Sequence, residues 1–204
     1  MLSGGAAVIA ACCGLPASRA VRAYTQRTIG PWWLALPMAV LAGLLAAWAR
    51  PDLIACAAAW LAVCAVPLAI IDAFEFRLPD PLTMAALGGT AAFLIAAAAA
   101  TSAGPDLARS AEGAAALGGL FLALALIRPG SAGLGDAKLG LSLGALTAWL
   151  GWGVLLDALV AAFLLAACYG IWLIASRRAT MRSRLPFGPF LLAGTLLAVV
   201  AASL

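Results

Sequence analysis

Two aspartates stand where an apolar chain has reason to avoid charge. Asp72 closes an apolar run in IIDAFEFRLPDPLT (residues 70–83), and Asp136 sits in GSAGLGDAKLG (residues 130–140). Residues that control backbone shape bracket both. Pro67 precedes Asp72 within the same run and can loosen the helical hydrogen-bond ladder there. Gly130, Gly133 and Gly135 surround Asp136 and let the backbone bend or approach another helix closely, with Lys138 following. Two carboxylates that share a water in a low-dielectric cleft cannot both ionise readily, so the pair holds one proton near neutral pH. One then acts as general base on the water while the other protonates the scissile carbonyl or the leaving amine. That is the chemistry of an aspartic endopeptidase, and it suits a chain with no histidine at all. The same two residues also suit helix capping, interfacial solvation, or the proton or cation path of a small transporter.

The elements that must carry these side chains are membrane helices. Of 204 residues, 66% are hydrophobic and 10% charged, and the mean hydropathy is +1.10, well away from the composition of soluble domains. Apolar runs of about 20 residues are what a ~30 Å hydrocarbon core demands of a helix. No period-2 alternation of the kind a membrane β-barrel needs is present. The expected class is therefore all-α: a polytopic transmembrane bundle in a lipid bilayer. Apolar spans read at 2–18, 31–49, 53–71, 82–101, 111–127, 138–151, 154–175 and 187–203. That makes about eight crossings, within a range of six to eight, because the first and sixth are short. The split between the sixth and seventh is placed at the GWG of residues 151–153, whose glycines suit a tight turn.

Alternating crossings put Arg19, Arg22, Arg27, Arg77, Arg128, Lys138, Arg177, Arg178, Arg182 and Arg184 on one side and only Arg50 and Arg109 on the other, ten of the twelve basic residues against two. The positive-inside rule assigns the ten to the cytoplasm. Both chain ends then lie outside, and Asp72 and Asp136 share the cytoplasmic face at one depth. A net charge of +4 is what such orientation needs and carries no nucleic-acid signal. Residues 1–23 read as a retained span rather than a signal peptide, since basic residues follow the apolar run instead of preceding it.

The remaining polar residues have plainer readings. Asp52 and Asp106 fall in outside loops, Glu112 begins a span, Asp80 lies in a PDP turn, and Asp157 is a helix-terminal acid near the outer face. The cysteines Cys12, Cys13, Cys56, Cys64 and Cys168 lie in apolar runs without a C-x-x-C pair. They suit packing between helices rather than a metal site, and no metal or other cofactor is expected.

Three motifs, in order and on consistent faces, resemble those of the type IV prepilin peptidases. IIDAFEFRLPDPLT resembles that family's I-D-x-x-x-x-x-L-P-D-x-L-T segment, GLGDAKLG its G-x-G-D-x-K-L segment, and LPFGPFLLAG (residues 185–194) its P-F-G-P segment. The resemblance covers roughly residues 50–204. It implies that Asp72 and Asp136 are the catalytic aspartates, with Gly133, Gly135, Lys138, Pro79, Asp80, Pro186 and Gly188 supporting them and Asp80 a turn residue. It also implies a multi-pass protein of the inner (cytoplasmic) membrane, with its active site facing the cytoplasm. That protein would cut the short basic leader of prepilin or pseudopilin substrates, with no nucleic-acid partner. The L-P-D and P-F-G-P segments favour this branch over an intramembrane protease of the presenilin type. Larger bacterial members carry a cytoplasmic segment with two C-x-x-C pairs, linked to N-methylation of the processed pilin, after the first span. Here residues 1–49 hold only the short basic loop SRAVRAYTQRTIG in that place. Cleavage without methylation, or methylation by a separate protein, is the expectation.

Overall fold

The computed structural model describes residues 14–25, 53–127, 133–178, 180, 183 and 185–202. Every regular element among them is a helix: α1 Gly14–Thr25, α2 Leu53–Glu75, α3 Asp80–Thr101, α4 Gly104–Ile127, α5 Leu134–Leu150, α6 Trp152–Ala175 and α7 Gly188–Ala202. Four of these, α2, α3, α4 and α6, are long and apolar enough to cross a bilayer, and α7 is a shorter apolar helix. The 23 residues of α2 reach about 34 Å at 1.5 Å per residue, enough for the hydrocarbon core. The six apolar runs from residue 53 onward thus each become a helix. The run at 31–49 and most of that at 2–18 lie outside the described residues, as do Gly130, Asp52 and the charges at 27, 50, 128, 182 and 184.

Small residues set how closely the helices approach. The strongest packing joins α4 to α5, followed by α6 to α7 and α2 to α3. Gly113 of α4 faces Gly144 and Ala148 of α5 with no room for a side chain, the small-residue contact that lets membrane helices gain van der Waals packing where lipid provides no hydrophobic drive. Across the same seam Ser110 Oγ donates to the Ala145 carbonyl at 2.8 Å. Large apolar side chains such as Phe121, Leu68, Leu139, Leu143 and Leu191 fill the interior, while Leu126, Leu156, Leu164 and Ile171 point outward as a lipid-facing surface requires.

Several sequence expectations need correction. The basic loop after the first apolar run begins as helix: α1 continues to Thr25, because Ala17 and Val21 pack against Ala59, Val66 and Ile71 of α2 while Arg19 and Arg22 stay exposed. Asp106 is not in a loop but in the first turn of α4, and Glu112 lies further along that helix rather than at its start. Arg109 explains the longer helix. Its Nη2 pairs with Asp106 Oδ1 at 2.6 Å and also donates to the Trp149 carbonyl at 2.6 Å. Its Nε donates to the Ala148 carbonyl at 2.7 Å, so the guanidinium satisfies carbonyls at the end of α5 that the helix leaves unpaired. Cys64 is buried between helices, as expected, but Cys56 and Cys168 are exposed; a thiol is apolar enough to face lipid. The break at Gly151 holds as read. That one residue ends α5 and starts α6 with φ +145°, backbone that only glycine adopts without strain.

Candidate active site

Asp72 lies one turn from the end of α2 and Asp136 in the first turn of α5, so both carboxylates come from helix ends at one pole of the bundle. Each is nearly sealed from outside, with 5% and 7% of its surface exposed. A buried charge without compensation is costly, and here the compensation comes from backbone. The Gly188 N–H donates to Asp72 Oδ2 at 2.9 Å, and the Gly133 N–H donates to Asp136 Oδ2 at 2.9 Å. Oδ1 of Asp136 is buried and has no hydrogen-bond partner among the described residues. One oxygen of Asp136 is therefore committed to structure, and the other is free to take a proton, a water or a substrate atom.

Local sequence explains these positions. Gly133 is the N-cap of α5, in extended backbone at φ −91° and ψ 156°. Having no side chain, it cannot cap the helix itself; instead Asp136, at the third helical position, reaches back to the cap N–H, which is half of a capping box. Gly135 lies against the 78–80 turn: a Cβ there would come within 2.6 Å of Leu78 Cβ. Pro79, buried and extended at φ −67° and ψ 131°, is the N-cap of α3, a start suited to its fixed φ. Between α2 and α3 the chain reverses through Phe76, whose φ of 53° is unusual for a bulky residue.

Asp80 does more than shape a turn. It opens α3, and its Oδ1 pairs with Lys138 Nζ at 2.6 Å, tying the start of α3 to the start of α5. The pair is 33% exposed at Lys138 and 68% at Asp80, so it guides more than it stabilises. Gly188 opens α7 so close to the site that a Cβ on it would lie 2.8 Å from Asp72 Oδ2. Pro186 is half-buried and, lacking an N–H, cannot donate to either carboxylate. Asp157 is exposed on α6. The structure thus gathers Asp72, Asp136, Gly133, Gly135, Lys138, Pro79, Asp80 and Gly188 at one pole.

Other contributors went unread. The site depends on Leu78 as the surface that receives Gly135. Next to Gly188 in the chain, the ring of Phe187 lies 5.6 Å from that of Phe121 and 5.1 Å from that of Phe163. The only sequence signal for Phe187 was its place inside LPFGPF.

The chain matches the family model for the type IV leader peptidase family over residues 56–171, a stretch that holds both aspartates and stops short of residues 185–194. It is 36% identical over 127 residues to a prepilin leader peptidase/N-methyltransferase of Aeromonas hydrophila, a match covering 62% of this chain and 42% of that protein. A protein of the same description from Aeromonas salmonicida (strain A449) is 35% identical over the same shares. The match takes in less than half the length of these curated relatives. No solved structure matches the chain.

Proposed function

Because the chain belongs to the type IV leader peptidase family, we propose that it is a membrane-embedded aspartic endopeptidase. It cuts the short basic leader of prepilin-like proteins at the cytoplasmic face of the inner membrane. The observation that carries this reading is the buried pair Asp72 and Asp136, each with one oxygen held by a backbone N–H. In the proposed reaction one carboxylate takes a proton from the attacking water and the other gives its proton to the amide being cut; the two then exchange roles to release the amine. Gly133 and Gly188 hold the carboxylates, Gly135 and Pro79 set the distance between the helix ends that carry them, and the largely exposed pair of Asp80 with Lys138 only guides their approach.

An apolar cavity of about 230 Å³ between α2, α5 and α7, lined among others by Ala65, Ala69, Leu143, Leu146, Leu192 and Leu196, supports an apolar helix as the part of the substrate held in the bilayer. Ala65 and Ala69 share a helix face with Asp72, Leu143 with Asp136, and Leu192 with Gly188, by their spacing. A peptide bond at the end of such a helix can unwind into water more cheaply than one at mid-membrane. Of the acidic groups near the pair, Glu75 is exposed whereas Asp80 is engaged by Lys138. Attraction for the leader's basic residues is accordingly weak, of order 1 kcal/mol or less, and the fit of a glycine before the cut matters more. The test is to co-express the chain with a prepilin whose glycine before the cut is made bulky, and with one whose leader lysines are neutralised. The first stays uncut and the second is cut; efficient processing of the bulky variant, or a complete block from charge removal alone, contradicts this account of recognition.

A further inference from the structure

The two carboxylates are held in unequal ways. Asp136 Oδ2 accepts a hydrogen bond from the N–H of Gly133, three residues earlier in the same helix start, so that contact is local to the start of α5. Asp72 Oδ2 accepts a hydrogen bond from the N–H of Gly188, 116 residues away and the first residue of α7. The alignment of Asp72 therefore depends on where the start of α7 is docked.

That docking is set one residue earlier. The Phe187 ring lies between Phe121 of α4 and Phe163 of α6, at centroid separations of 5.6 and 5.1 Å and interplanar angles of 46° and 48°, the tilted arrangement that aromatic pairs favour. Phe121 is 1% exposed and so is itself fixed by the core. Further along, Phe190 tilts against Tyr169 of α6 at 5.5 Å, which holds the first turn of α7 to the same neighbour. An aromatic side chain has only two torsions and transmits position rigidly, so the backbone at 188 follows the seat of the ring at 187.

We propose that Phe187 is a positioning residue for the carboxylate pair: seated between Phe121 and Phe163, it fixes the Gly188 N–H on Asp72 and makes completion of the site conditional on docking of α7 against α4 and α6. This role rests on the endopeptidase reading above. It differs from ordinary core packing in what it predicts. Removing the ring should impair turnover rather than substrate binding, and should loosen one particular amide.

The full chain is reconstituted in nanodiscs and given a synthetic prepilin-type peptide, a lysine-containing leader ending in glycine followed by an apolar helix. Phe187→Ala lowers kcat on the order of 10²-fold, the cost of about 1 Å of misplacement, with KM within about twofold. Phe187→Tyr, which keeps the ring, stays within about threefold of wild type. Phe93→Ala, which truncates a ring packed against the core on α3, leaves kcat near wild type. Amide hydrogen exchange at residue 188 is followed on the same preparations. It is slow in wild type and accelerates about tenfold or more in Phe187→Ala and in Asp72→Ala, but not in Phe93→Ala. A Phe187→Ala variant that changes KM alone, that loses no more turnover than Phe93→Ala, or that leaves the residue-188 amide protected overturns the proposal. If the wild-type protein cuts no peptide, the endopeptidase reading fails, and the exchange measurement still decides whether Phe187 seats Gly188.

Discussion

Gly135→Ala is the smallest change that should disable the site without touching a carboxylate. A Cβ at residue 135 would lie 2.6 Å from Leu78 Cβ and 3.3 Å from Leu78 Cα. Ordinary contact begins at 3.4 Å, so the start of α5 must retreat from the 78–80 turn by about 0.8 Å, the difference 3.4 − 2.6. Asp136 is the next residue and retreats with it, while Asp72 on α2 does not. A misplacement of about 1 Å costs on the order of 10² in rate, or about 2.7 kcal/mol of activation free energy. The overlap also costs about 1–3 kcal/mol of stability, small enough for the protein to insert and accumulate. The assay is cleavage of a co-expressed prepilin, read as the ratio of cut to uncut substrate at matched enzyme levels. Gly88→Ala and Gly119→Ala serve as controls, since a Cβ at either position meets nothing within 4 Å and alanine in a helix is favoured over glycine by up to ~1 kcal/mol. If Gly135→Ala cuts within about threefold of wild type, or if the controls fail equally, the idea that the Gly135 contact sets the carboxylate separation is wrong.

Other outcomes follow from the same geometry. Asp80→Asn keeps substantial activity, because its ion pair with Lys138 is largely exposed and such pairs are worth ~1 kcal/mol or less; Asp157→Asn, on the exposed side of α6, does too. Loss of cleavage at normal protein levels would show, for Asp80→Asn, that the exposed ion pair is needed to place the helix ends, and for Asp157→Asn, that the site extends further than proposed. Activity survives EDTA and serine- or cysteine-directed reagents, since a carboxylate pair activates water by itself; full loss with chelator, restored by zinc or magnesium, would sink that mechanism. A topology reporter fused at Ala179 reads cytoplasmic and one at Gly151 reads external, following the split of basic residues; the reverse result would remove the claim that the carboxylates face the cytoplasm.

Hydropathy located α2 through α7 because each had to bury or present a long apolar run, and the glycine at 151 was legible because no other residue suits that break. The start of α4 was misplaced for an equally physical reason. Asp106 and Arg109 look like loop charges in a hydropathy trace, yet the guanidinium is spent on the carbonyls of Ala148 and Trp149 and on Asp106. Residue type and spacing singled out Asp72 and Asp136, since a carboxylate at the end of an apolar helix needs a reason to be there. What spacing does not encode is which backbone N–H reaches which carboxylate. The contacts of Gly188 with Asp72, of Lys138 with Asp80 and of Phe187 with Phe121 and Phe163 join elements far apart in the chain, and only packing brings them together.

The central claim is that Asp72 and Asp136 act as one proton-sharing pair. The most direct measurement is single-turnover cleavage of a prepilin substrate by wild type, Asp72→Asn, Asp136→Asn and the double variant, each at equal membrane abundance. The account predicts that wild type cuts the substrate and that each single variant is as inactive as the double, because neither carboxylate can supply both the base and the acid. Cleavage near the wild-type rate by either single variant would contradict it.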